Sequence, residues 1–123
     1  MKKPLNGIRV LDLTNVLAGP YCCHQLVHLG AEVIKVEAPK TGDLARQLGA
    51  DERLNKKLMG ISFLAQNAGK KSITLNLKSP RGKKLFLQLT ETAEVLVENF
   101  RPCLLYTSPS PRDLSTSRMP SSA

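Results

Sequence analysis

The chain has 123 residues, 41% of them hydrophobic, and 18 Lys and Arg against 10 Asp and Glu give it a net charge of +8. That balance suits one ordinary globular domain and excludes a collagen, a coiled coil or a wholly disordered chain. No run of about 18 apolar residues is present, so no membrane-spanning helix is expected; aromatics are 4% with no Trp, a poor supply for stacking on nucleic-acid bases.

Lys2-Lys3 leads into Pro4-Leu5-Asn6-Gly7 rather than an apolar signal core, so no secretory leader is expected. Ile8–Leu13 is a β-branched and leucine-rich run of strand length. Thr14–Gly19 follows as a loop, and Pro20 suits the first turn of a helix running to Leu29. Cys22, Cys23, Leu26, Val27 and Leu29 mark the apolar side of that helix, and Gly30 supplies its stop. Ala31–Glu37 reads as a second strand. Strand, ten-residue helix, glycine and strand make a βαβ unit, so the two strands should be parallel neighbours.

Ala38–Asp43 is a loop, and residues 44–69 give a clear signal only for a short helix near Ile61–Gln66. Lys71–Leu77 alternates as a strand. Ser79 and Pro80 read as N-cap and first residue of a helix to Thr90, with Leu85, Leu87 and Leu89 facing inward. Glu94–Glu98 is the last strand. The order predicts an α/β fold, a Rossmann-like partial parallel sheet of the doubly wound kind. Residues 103–123 differ in character: Ser, Thr and Pro fill 11 of 21 positions, and a disordered tail is expected there.

Ligands of open α/β sheets bind where loops leave the carboxyl ends of the strands. That selects Thr14–Gly19, Glu37–Asp43, Leu77-Lys78 and Asn99–Arg101. The first loop has one glycine, not the G-x-G-x-x-G dinucleotide pattern. Lys70, Lys71, Lys78, Arg81, Lys83 and Lys84 form the densest basic cluster, most of it read as a solvated face. Lys78 and Arg101 are set apart because each directly follows a strand, and two cations at neighbouring strand ends suit a phosphate-rich small molecule. His24 and His28 share a helix face, but no third metal ligand lies near them in sequence. Three cysteines without metal-ligand spacing read as reduced thiols of a cytoplasmic protein, with apolar packing the expected role of Cys22 and Cys23.

Three collinear stretches carry the argument further: Pro4–Cys22 (PLNGIRVLDLTNVLAGPYC), Leu29–Asp43 (LGAEVIKVEAPKTGD) and Asn67–Pro102 (NAGKKSITLNLKSPRGKKL through AEVLVENFRP). Together they resemble the N-terminal part of the family III CoA-transferases, the CaiB/BaiF type. The resemblance implies an enzyme moving coenzyme A from an acyl-CoA to a small carboxylic, or dicarboxylic, acid. It implies an interlocked homodimer without a tightly bound cofactor or metal, with CoA as substrate and neither nucleic acid nor membrane as partner. It also implies covalent catalysis by an aspartate, whose motif none of Asp12, Asp43, Asp51 or Asp113 matches.

Carried over by position, the resemblance puts Val16, Leu17 and Ala18 beside the reacting thioester, and Leu75, Lys78, Asn99, Phe100 and Arg101 at the adenine and phosphates. Ala38 stands where some family members have a basic contact. On this reading residues 1–102 belong to the family's Rossmann-like domain. Residues 103–123 resemble translated sequencing-adapter sequence, a foreign tail, and the chain by itself is expected to be inactive. Two other readings stay open: a racemase of 2-methylacyl-CoA thioesters on the same scaffold, and, on charge alone, a small nucleic-acid-binding protein.

Overall fold

The structure is a computed structural model and describes residues 2–99. The expectations for Phe100, Arg101, Cys103 and the 103–123 tail lie outside the described residues. Four strands, β1 (Arg9–Asp12), β2 (Glu32–Glu37), β3 (Lys71–Thr74) and β4 (Val95–Val97), form one sheet in the order β3-β2-β1-β4. Every pairing is parallel. The helices are α1 (Ala18–His28), α2 (Glu52–Lys56), α3 (Ile61–Asn67) and α4 (Pro80–Thr90), with a 3-10 turn at Leu44–Gln47.

Side-chain alternation along β1 and β2 assigns one helix layer to each face of the sheet. Val10 and Val33 pack with Cys23 and Ala31, joined by Leu26 and Val27 of α1. Leu11, Ile34 and Val36 point the other way, onto Phe86 and Leu89 of α4. Because both faces of β2 are covered, its last five residues are all buried.

The expected α/β order holds, with local corrections. Helix α1 starts at Ala18, two residues before Pro20, which the first turn accommodates because its N–H groups lack helical acceptors anyway. Cys22 and Leu29 are exposed, so the buried side of α1 is Pro20 and Cys23. Strand β3 ends at Thr74 rather than Leu77, where the chain turns into Asn76–Ser79 ahead of α4. In α4 the buried side chain is Phe86; Leu85 is exposed and Leu87 half-buried. The 3-10 turn and α2 carry too few apolar residues to show a period.

Candidate functional site

All four carboxyl ends lie along one edge of the parallel sheet. From β1 the chain moves outward through β2 to β3, then crosses back to put β4 on the far side of β1. The connection leaving β1 runs to β2 while β4 lies on the other side of β1, so the strand order reverses at β1. The crevice beyond the β1 and β4 carboxyl ends is the usual ligand position in such sheets. The walls of the crevice are bonded to each other. Leu13 N–H donates to Val97 O at 2.9 Å. Asn15 N–H donates to Asn99 Oδ1 at 3.2 Å, and Asn99 Nδ2 donates to Asn15 O at 3.1 Å.

The loop from β1 to α1 has an unusual backbone. Val16 adopts φ +73°, a left-handed conformation that β-branched residues avoid. Its N–H donates to Asp43 Oδ1 at 2.9 Å. From α3, the Gln66 amide nitrogen, in the orientation that satisfies the network, donates to Val16 O at 3.0 Å and Leu17 O at 3.1 Å. Gly19 is needed for a different reason: a Cβ there would lie 2.3 Å from Thr14 Cβ, so only glycine lets the helix start close over the loop.

Beneath the loop is a chain of buried charges. Lys35, the cross-strand partner of Asp12, pairs with Asp43 Oδ2 at 2.9 Å and donates to Thr14 O at 2.9 Å. Lys70 Nζ donates to Asp12 Oδ2 at 2.7 Å, to Asn67 Oδ1 at 2.7 Å and to Pro20 O at 2.9 Å. Burial pulls the Lys70 ammonium below the usual lysine range, and the Asp12 carboxylate opposes that pull. Asp12 Oδ1 in turn accepts from the Thr14 N–H and hydroxyl.

One strand over, Glu37 accepts from Arg46 through both carboxylate oxygens at 2.7 Å, and also from Asp43 N–H and the Ser72 hydroxyl. Burial alone would raise its pKa, but the Arg46 and Ser72 hydrogen bonds win and hold it at about 2. These groups fix the loops in place; every carboxylate among them is already paired.

The predicted site residues that are described fall at the carboxyl edge, in two groups. Val16, Leu17 and Ala18 form the exposed rim of the crevice, and Asn99 is hydrogen-bonded to the same loop through Asn15. Leu75 and Lys78 belong to the β3–α4 connection on the other side of β2. Leu75 N–H donates to Glu37 O at 3.1 Å, and its side chain packs on the core. Lys78 does not directly follow a strand: it is exposed in the turn after β3, its N–H bonded to Asn76 Oδ1 at 3.0 Å.

The strand preceding Arg101 is not a neighbour of the one preceding Lys78, since β3 and β4 are the two edges of the sheet. Lys70, counted in the basic cluster, is buried against Asp12, and Lys71 pairs with Glu32 at 2.7 Å. Cys23 is fully buried and its thiol is pushed up to about 12, first by desolvation and then by Asp12, which fits packing rather than reactivity. His24 and His28 face each other with Nε2 atoms 3.1 Å apart. Among the described residues no group of three His, Cys, Asp or Glu could hold a metal ion.

Sequence reasoning missed Lys35, Asp43 and Gln66 as the residues that shape the loop. The available signal was the one cation in the apolar run AEVIKVE, at a position that must be buried on both sides of the sheet.

A parallel sheet with its crevice beyond β1 and β4, and a strained loop at that point, is a ligand-binding architecture. Residues 5–107 match CoA-transferase family III, and the chain belongs to that family. It is 46% identical over 105 residues to the formyl-CoA:oxalate CoA-transferase of Rhodopseudomonas palustris (strain TIE-1), a match covering 85% of this chain and 24% of that protein. It is 47% identical over 100 residues to the succinyl-CoA:glutarate CoA-transferase of Mus musculus, covering 81% of this chain and 22% of that protein. The crystal structure of the hypothetical protein Rv3272 from Mycobacterium tuberculosis superposes with a TM-score of 0.74 at 46% identity, over 85% of this chain and 27% of that one. The chain thus spans about a quarter of the length of the relatives it matches.

Proposed function

We propose that this chain supplies part of the coenzyme A pocket of an enzyme that transfers CoA from an acyl-CoA to a small carboxylic acid. The observation that carries the reading is the Val16–Ala18 backbone, held rigidly at the β1/β4 crevice in a member of CoA-transferase family III. The acids in the relatives' names, oxalate and glutarate, favour a dicarboxylic acceptor. In this reading the thioester end of CoA lies against Val16, Leu17 and Ala18. Lys78 and Asn99 take the phosphate and adenine end, together with Leu75, Phe100 and Arg101. A cation near CoA's phosphates contributes charge-assisted hydrogen bonds.

The chemistry that the family resemblance brings is nucleophilic. An aspartate carboxylate attacks the donor's thioester carbonyl and expels the CoA thiolate, leaving a mixed anhydride. The thiolate then attacks the aspartyl carbonyl, releasing the donor acid and forming an aspartyl-CoA thioester. The acceptor carboxylate attacks that thioester and expels the CoA thiolate, leaving a second mixed anhydride. The thiolate then attacks the acceptor's carbonyl, forming the acceptor's CoA thioester and releasing the aspartate carboxylate. No described aspartate suits the role: Asp12 and Asp43 are buried in ion pairs, and Asp51 caps α2. The chain by itself is therefore expected to bind CoA without transferring it. An interlocked homodimer, cytoplasmic location and absence of a tightly held cofactor complete the proposal.

Calorimetric titration of the chain with CoA tests it. Saturable binding, weakened about tenfold by Lys78→Ala as expected for a lost charge-assisted contact, supports the reading. No saturable binding, or retention on duplex DNA with a steep salt dependence instead, overturns it. Transfer of CoA from succinyl-CoA to glutarate by these 123 residues alone would overturn the absence of the nucleophile.

A further inference from the structure

Asp43 stands off the crevice rim, yet the shape of the rim depends on it. Val16 has its φ at +73°, where a β-branched side chain is disfavoured, so something must hold it there. Asp43 Oδ1 accepts from Val16 N–H at 2.9 Å and from Ala45 N–H at 2.9 Å. Its other oxygen pairs with Lys35 Nζ at 2.9 Å, which itself donates to Thr14 O two residues before Val16. Both side chains are buried, at 0% and 1% exposure, so neither is positioned to contact a ligand directly. Asp43 is held from its own side as well, since its N–H donates to Glu37 Oε1 at 2.9 Å. The loop's carbonyls at Val16 and Leu17 are tied separately by Gln66.

Resting on the CoA-transferase reading above, we propose that Asp43 is a positioning residue for that site. It keeps Val16 in the left-handed conformation and so presents the Val16–Ala18 backbone to the thioester end of CoA. It acts through Val16 and does not touch the ligand. The carboxylate is suited to this because it accepts two backbone N–H bonds at one oxygen while Lys35 neutralises the other. A glycine at position 16 would adopt the same φ without steric cost. The requirement for Asp43 should therefore be specific to a residue with a Cβ at position 16.

The test is a double-mutant cycle on CoA affinity, measured by calorimetry on the full chain. Asp43→Ala should weaken CoA binding about tenfold or more, the scale expected when a hydrogen bond to a charged group is lost. In the Val16→Gly background the same substitution should cost less than about threefold, because coupled residues are non-additive. A merely structural role would give the same penalty in both backgrounds, and that result overturns the proposal. Should Asp43→Ala fail to fold, the neutral pair Lys35→Met with Asp43→Asn keeps the acceptor for Val16 N–H. That pair should retain CoA affinity within about threefold and slow amide exchange at Val16. Loss of either in a folded protein overturns the proposal. A wild-type chain that binds no CoA overturns the activity reading itself, whereas wild-type binding left unchanged by Asp43→Ala overturns this proposal alone.

Discussion

Glu37 shows how a single side chain can be tuned by its neighbours. Its carboxylate is gripped by the Arg46 guanidinium, whose Cζ lies 3.8 Å over the Phe63 ring, and by the Ser72 hydroxyl across the β2–β3 pair. Desolvation pushes the carboxyl pKa up, yet the hydrogen bonds outweigh it and bring it down to about 2 from an ordinary 4.5. A depressed folded-state pKa contributes stability that is present above the unfolded value and lost as pH falls through the folded one. The window is therefore pH 4.5 down to about 2. Urea unfolding followed across that range should show about 2–3 kcal/mol of stability disappearing. Glu37→Gln should flatten that part of the profile. Neither the pairing nor the shift was legible in the sequence, where Glu37 and Arg46 are separated by a loop of no regular period.

At the scale of elements, local chemistry was easiest to read where caps and periodicity agreed. Ser79 caps α4 by accepting from Gly82 N–H at 3.0 Å, with Pro80 in the first turn, as its sequence suggests. Gly82 itself gave no such signal, since glycine inside a helix usually only weakens it. Replacing such a glycine by alanine ordinarily stabilises a helix by up to about 1 kcal/mol. Here the new Cβ would meet Asn76 O at 1.9 Å, a backbone atom of the β3–α4 turn that has little room to move. The clash should win. Gly82→Ala is expected to destabilise by about 1–3 kcal/mol, read as a lower denaturant midpoint at unchanged slope, and a rise in stability would show that the turn relaxes freely. The 44–60 region was hard to read because its elements are too short to show a period. Asp43 and Asp51 cap the 3-10 turn and α2, but the segment is also tied by longer-range bonds such as Gly60 N–H to Arg46 O at 2.7 Å.

For the whole molecule, the buried charges tie together elements far apart in the chain. Lys70, at the entry to β3, reaches Asp12 at the end of β1 and Pro20 O in α1. Removing one partner of a buried pair leaves the other charge desolvated, which costs about 3–5 kcal/mol. Lys70→Met should therefore lower unfolding free energy by that order. Adding Asp12→Asn should recover part of it, because the carboxylate, left among the described residues with only the Lys35 ion pair at 4.0 Å, is then gone. If Lys70→Met is neutral in equilibrium unfolding, the network contributes nothing to stability. The same scale corrects the reading of the surface: a lysine counted among solvated cations is interior, and the two cations assigned to adjacent strand ends follow opposite edges of the sheet.

The sequence by itself determined the alternation of strands and helices, the cap of α4 and the family. These rest on periodicity, turn residues and collinear motifs, all local in the chain. Only the tertiary structure decided the strand order, the left-handed turn at Val16 and the residues that hold it. The physical reason is range. Val16 meets Asp43 27 positions away, and Asp12 meets Lys70 58 positions away. No local pattern records which distant polar groups will be buried together, because each acquires its partner only when the sheet and its two helix layers close.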